Sequence, residues 1–229
     1  MTVAGARRAL LDTVRWLMAR GLYTGTSGNV SVRAGRGLLV TPTAIPCEAL
    51  AAASMVPLTL DGQARGRYAP SSEWRIHRDI YRDRPEVGAV VRTHSTFATA
   101  YACLRRPLPA LHYMIAKAGG TEIRCARYAT YGTEALSRNA LAALAGRRAC
   151  LLANHGLLVL GRDLASARLL AEEVEALAAQ VAAARMMGRP VVLPAREMRA
   201  VAAKFAHYGQ PQGVSPGSAP APRRPRRPR

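Results

Sequence analysis

The chain has 229 residues, carries 33 lysines and arginines against 14 acidic residues for a formal net charge of +19, and contains four cysteines. That length suits one globular domain with a sizeable core, and Cys47, Cys103, Cys125 and Cys150 are too far apart for a disulfide framework or a cysteine zinc cluster, so they read as reduced core residues. Residues 1–22 hold scattered charges and no long apolar run, and Ala165 to Met187 is broken by Arg168, Glu172, Glu173, Glu175 and Arg185, so neither a signal peptide nor a membrane span is predicted and a cytoplasmic protein is expected.

The basic surplus would ordinarily point to nucleic acid or an anionic surface. Three features redirect it. Lys117 and Lys204 are the only lysines, the arginines accompany abundant alanine and proline, and five arginines fall in the closing "RRPRRPR". Proline prevents helix there, and the composition predicts a disordered Pro/Arg-rich tail over 210–229, read as a solvated extension in preference to a nucleic-acid binder. Phosphate-bearing substrates fit the remaining positive balance.

Along the chain, Leu10, Leu11, Val14, Leu17 and Met18 recur at helical spacing within residues 5–20, and Gly21 can close that helix. "SGNVSVRAGRGLLVTP" alternates, turns at "AGRG" and resumes as an apolar strand, and "MVPLTLDGQARGRYAP" repeats the theme with a turn at Asp61-Gly62. Ser71 or Ser72 is a good N-cap for "SEWRIHRDIYRDRPE", which Pro85 should stop, so Glu73 lies in the first turn. "VGAVV" reads as a buried strand and "TFATAYACL" as the helix after it. Helices are also predicted in "TEALSRNALAALAG", "LASARLLAEEVEALAAQVAAARMMG" and "AREMRAVAAKFAHYG", with the strand pair "RRACLLANHGLLVLG" before the second. Strands mixed with helices in this order imply an α/β domain with helices covering the sheet.

The chemistry-bearing residues are few. The histidines are His77, His94, His112, His155 and His207. His94 closes the strand "GAVVRTH", where residues two apart share a face, so Arg92 projects beside it. Asn154-His155-Gly156 interrupts two apolar runs and belongs in a rim turn, where binding groups collect. His77 shares a helical face with Glu73, but "HRDIYRD" continues as an ordinary amphipathic surface, and His207 sits where a helix C-terminus favours a cation. Histidine spacing alone makes no metal site. Thr26 to Asn29, Thr41 to Ala44 and Ser71-Ser72 are candidate anion cradles, since backbone N–H groups in tight turns and at helix starts bind phosphate without a basic side chain. Ordinary turn and capping chemistry accounts for each of them equally well.

Together, "GTSGNVSVR", "LLVTPTAIP", "PSSEWRIHRDIYRDRPEVGAVV", "LPALHYMIAKAGG" and "LLANHGLLV", in this order and at these separations, closely resemble the class II aldolase/adducin family, from about residue 5 to Gly209. The resemblance implies one domain over 1–209, a three-layer α/β/α architecture with a central, mostly antiparallel sheet, and assembly as a homotetramer. It implies zinc-dependent retro-aldol cleavage of a ketose 1-phosphate, L-fuculose 1-phosphate or similar, into dihydroxyacetone phosphate and a small aldehyde. Gly28, Asn29, Thr43, Ala44, Ser71 and Ser72 correspond to phosphate-binding positions, with Ala44 where glycine is usual. Glu73 corresponds to the catalytic acid/base and resting metal ligand, His94 and His155 to two histidine ligands of zinc, Tyr113 to a tyrosine assisting proton transfer, and Tyr208 to one closing the site from a neighbouring subunit. Tyr131 stands where phenylalanine is found. On the residues alone the three tyrosines read as packing.

The third histidine ligand of the family corresponds to Arg92. A protonated guanidinium donates and cannot ligate zinc, and at about 5 Å from a dication, with an effective dielectric of about 20, the repulsion is about 6 to 7 kcal/mol. Three outcomes are open. Glu73, His94 and His155 hold zinc as a His-His-Glu set; Arg92 takes over part of the metal's electrostatic role; or the protein is a catalytically silent scaffold or ligand-binding member, against which the retention of Glu73, His94, His155 and Tyr113 weighs.

Overall fold

The structure, a computed structural model, describes residues 2–205; His207, Tyr208 and the expected tail lie outside the described residues. In chain order the elements are α1 (Val3–Ala19), β1 (Asn29–Ala34), β2 (Gly37–Val40), β3 (Val56–Thr59), α2 (Trp74–Asp83), β4 (Ala89–Thr93), α3 (Thr96–Cys103), β5 (Leu108–Pro109), β6 (Glu122–Ile123), β7 (Cys125–Ala126), α4 (Glu134–Leu144), β8 (Ala149–Leu152), β9 (Gly156–Gly161), α5 (Leu164–Met187) and α6 (Ala195–Phe205). The main sheet runs β3-β2-β1-β4-β9-β8-β7, antiparallel at every pairing except β7 with β8. β5 and β6 form a separate two-stranded sheet.

The strand period of two sorts the core into two layers. Val30, Val32, Ala89, Val91, Leu157 and Val159 pack with α1, α3 and α5. Val40, Val90, Cys150, Leu152, Leu158 and Leu160 pack with α2 and α4 on the other face. The expected α/β/α architecture with a mostly antiparallel sheet is therefore what forms. Parity has a further consequence on β4: position 92 follows Val90 onto the α2 side, toward the N-terminus of that helix.

Three local expectations need correction. Helix α2 begins at Trp74, with Glu73 at the N-cap. Ser71 caps a tighter turn instead: its Oγ accepts from the Glu73 N–H at 3.3 Å and its carbonyl from the Trp74 N–H at 3.0 Å. The second hairpin shrinks to one bridge, Leu58 with Ala64, because "QARGRYAP" has no apolar alternation to bury. All four cysteines are free, but only Cys47 and Cys150 are buried, Cys125 being half-buried and Cys103 exposed.

Candidate active site

The antiparallel register gathers distant turns at one edge of the sheet. Asn29 opens β1 opposite Arg92 near the end of β4, and Leu157 near the start of β9 pairs with Thr93. The turns at Thr26–Asn29, Pro42–Ala44, Ser71–Glu73 and Asn154–His155, with Arg92, His94 and the segment Tyr128–Tyr131, line a cleft of about 330 Å³. Every predicted phosphate position, Gly28, Asn29, Thr43, Ala44, Ser71 and Ser72, is on its wall.

Backbone shape explains these residues. Gly28 has φ +124°, and a Cβ there would lie 2.7 Å from the Tyr23 ring and 3.1 Å from the Arg92 carbonyl, so only glycine fits without movement. Ala44 has φ +56°, the left-handed region in which a Cβ is strained, and it is the position where glycine was expected. The Thr43 amide donates to the Ala69 carbonyl at 3.1 Å and that of Ser71 to the Thr41 carbonyl at 3.0 Å. Among the described residues the amides of Gly28, Ala44 and Ser72 have no such partner, which leaves them as donors for an anion.

The floor consists of Glu73, Arg92, His94 and His155. Glu73 is 2 % exposed and Arg92 5 %, and they form a buried ion pair through Oε2 and Nε. Arg92 Nη2 donates to His155 Nε2, which lies 3.3 Å from Glu73 Oε1. Burial pushes the Glu73 carboxyl up, opposed by the Arg92 charge and the Asn29 hydrogen bond. Burial and the Arg92 charge lower His94 to about 4 and His155 to about 3, so both rings are neutral near pH 7. Among the described residues, Glu73 Oε1 and His94 Nε2 are buried without a hydrogen-bond partner.

Behind Glu73 runs a hydrogen-bonded chain that sequence reasoning missed. Asn29 Nδ2 donates to Glu73 Oε2 at 3.3 Å, and Asn29 Oδ1 lies 2.6 Å from His77 Nε2. His77 Nδ1 is 2.7 Å from Ser31 Oγ, itself 2.9 Å from the Tyr81 hydroxyl. Because Asn29 offers its oxygen, His77 Nε2 carries the proton and Nδ1 accepts from Ser31, which accepts in turn from Tyr81. Burial drives the His77 pKa down to about 3, which keeps this tautomer neutral. His77 is 1 % exposed and is a core residue, contrary to the surface reading. Its signal was the i, i+4, i+8 series Glu73, His77, Tyr81 alongside Ile76 and Ile80.

Residues 8–182 match the family described as Class II Aldolase and Adducin N-terminal domain. The chain belongs to the class II aldolase and adducin family. It is 52 % identical over 203 residues to a 5-methylthioribulose-1-phosphate/5-deoxyribulose-1-phosphate aldolase of Rhodospirillum rubrum, covering 89 % of this chain and 92 % of that protein. It is 44 % identical over 203 residues to an L-fuculose phosphate aldolase of Escherichia coli strain K12, covering 88 % and 94 %. A solved structure of an L-fuculose 1-phosphate aldolase superposes with a TM-score of 0.86 at 41 % identity, over 90 % of this chain and 98 % of that one. By these relationships this member is an aldolase, a carbon–carbon lyase.

Zinc, which the aldolase family generally uses, can be tested against these donors. Glu73 Oε1 and His94 Nε2 are vacant buried acceptors, as a ligand pair would be. Glu73 Oε2 and His155 Nε2, however, both engage the Arg92 guanidinium. A dication sharing those atoms would face a fixed positive charge, so the arrangement does not fit the metal. Among the described residues no group of three or more His, Cys, Asp or Glu is placed to hold a metal ion. No helix among them is long and apolar enough to cross a membrane.

The expected tyrosines divide. Tyr131, with Tyr128, lines the cleft mouth, and both are exposed. Tyr113 does not line the cleft of its own chain: it stacks between His112 and Phe205 and is 49 % exposed. His112 is used as a cap, Nδ1 accepting from the Met114 N–H at 3.2 Å. Tyr208 lies outside the described residues.

Proposed function

We propose that this cleft cleaves a ketose 1-phosphate into dihydroxyacetone phosphate and a small aldehyde. The observation that carries the reading is the convergence, in one cleft, of three backbone amides, at Gly28, Ala44 and Ser72, without a partner among the described residues, with the buried Glu73 carboxyl. The former suit a phosphate dianion. The latter suits proton transfer at the carbon beside a carbonyl. The named relatives support the substrate class, since each acts on a phosphorylated ketose.

Cleavage breaks the C3–C4 bond. The C4 hydroxyl loses its proton, the bonding pair moves to C3 and is delocalised onto the C2 oxygen, and C4 leaves as an aldehyde. C3 then takes a proton from Glu73. Burial raises the Glu73 carboxyl toward the acid form that this step uses, opposed by the Arg92 charge, while Asn29, fixed by His77, orients its Oε2. On the family resemblance we assign the C4 hydroxyl proton to Tyr113 and site closure to Tyr208 from a neighbouring subunit, with assembly as a homotetramer; the cytoplasmic location rests on the sequence expectation of no signal peptide or membrane span. The zinc implied by that resemblance enters no step here.

The test is to incubate the purified chain with L-fuculose 1-phosphate, 5-deoxyribulose 1-phosphate and 5-methylthioribulose 1-phosphate and follow dihydroxyacetone phosphate with a reducing coupling enzyme. Release from at least one, abolished in Glu73→Gln, is expected. A second reading, a catalytically silent member, is favoured by one observation, the capture of Glu73 and His155 by Arg92. Absence of release from all three substrates would establish it.

A further inference from the structure

We infer that the Arg92 guanidinium stands in for the divalent cation of this aldolase, as the fixed charge that stabilises the enediolate oxygen, and that the reaction needs no metal. This rests on the proposed ketose 1-phosphate cleavage and names the electrophile of that same site. Arg92 is built into the floor by backbone register, opposite Asn29 on one side and Leu158 on the other. Nη2 donates to His155 Nε2, and Nε is held by charge against Glu73 Oε2 with no hydrogen bond among the described residues. Nη1 donates to no acceptor among the described residues. The anchored fork therefore keeps one donor edge uncommitted in a cleft it shares with the phosphate rim.

A guanidinium suits this task because it stays charged, is planar and offers parallel N–H donors whose orientation needs no rearrangement as charge develops. Glu73 Oε1, buried and without a hydrogen-bond partner among the described residues, completes the pair of groups. In the half-reaction on dihydroxyacetone phosphate, Oε1 takes a proton from C3, the C–H pair becomes the C2–C3 double bond, and the carbonyl π pair moves to the C2 oxygen. Arg92 N–H groups hold that oxygen. Reversal returns the proton to C3, so atoms and electrons balance without oxidant, reductant or cofactor. His94 and His155 then act as neutral walls of the floor, His155 positioning Arg92.

The experiment compares the unmodified chain with Arg92→His and Arg92→Gln, each checked for folding by circular dichroism. Three quantities are measured: zinc bound per chain, hydrogen–deuterium exchange at C3 of dihydroxyacetone phosphate, and cleavage before and after EDTA dialysis. The unmodified chain is expected to hold zinc far below one per chain and to keep exchange and cleavage after dialysis. Arg92→His is expected to gain about one zinc per chain, by completing a three-histidine set, and to become chelator-sensitive. Arg92→Gln is expected to slow exchange about 100-fold, with phosphate inhibition shifted by less than about threefold. Stoichiometric zinc in the unmodified chain, with loss of cleavage on dialysis, would overturn the inference while leaving the aldolase reading standing. Absence of both exchange and cleavage from the unmodified chain would sink the two together.

Discussion

The rim and the floor of the cleft are built from different kinds of group, main-chain amides in one and side-chain atoms in the other. The rim carries Ala44 where the family resemblance expects glycine, and the proposed phosphate grip there should be weakened but kept, because it works through backbone amides, which alanine still supplies. The floor carries Arg92 where the resemblance expects a histidine, and on our proposal its chemistry changes there because it works through side-chain atoms. Arg92 places a cation against both Glu73 and His155. A site built on main-chain donors tolerates exchange as long as φ is permitted; one built on side chains has no such slack.

The strongest way to test this contrast is at Glu73. Glu73→Gln is expected to reduce kcat about 10³-fold with KM changed by less than about threefold, because proton transfer is lost while the rim is untouched. Steady-state kinetics check it, and a KM effect larger than the kcat effect would place Glu73 in binding instead. On the rim, Gly28→Ala forces a Cβ against Tyr23 and the Arg92 carbonyl. KM is expected to rise about tenfold with kcat nearly unchanged, and stability to fall by about 1 to 3 kcal/mol in urea unfolding.

The chain behind Glu73 gives a middle-sized effect. His77→Ala leaves Asn29 and Ser31 without their buried partner, which is expected to lower stability by about 1 to 3 kcal/mol and kcat by several-fold. The same histidine sets a pH dependence. Its folded pKa is depressed to about 3 against 6.5 in the open chain, so the unfolded state binds the extra proton. The stability it contributes is complete above pH 6.5 and is lost as pH falls toward the folded value, about 2 kcal/mol being gone by about pH 5. His94 and His155 add in the same direction. Melting temperature followed from about pH 7.5 to about pH 5 should fall, and fall less in His77→Ala. Ala44→Gly is the smallest: relief of left-handed strain, offset by a freer unfolded chain, should leave stability within about 1 kcal/mol and lower KM slightly.

Much of the fold was legible because strands and helices bury one face each, and those periodicities survive in "VGAVV", "LLANHGLLVLG" and α5. The two-residue strands β5, β6 and β7 were not, since two residues carry no period. The rim was legible only through the family resemblance, turn chemistry alone being ambiguous at each of its loops. His77 was hidden by the arginines around it: Arg75, Arg78 and Arg82 gave its helix a solvated look, although position 77 falls on the stripe of Ile76 and Ile80. For Arg92 the strand period gave the face but not the partners, because a side chain with four rotatable bonds reaches whichever acceptor the tertiary fold supplies.

The most direct test of a floor rewritten around Arg92 is cleavage of a ketose 1-phosphate by the unmodified chain in metal-free buffer. Undiminished release of dihydroxyacetone phosphate after exhaustive EDTA dialysis is the expected result. Activity that disappears on dialysis and returns with added zinc would contradict it.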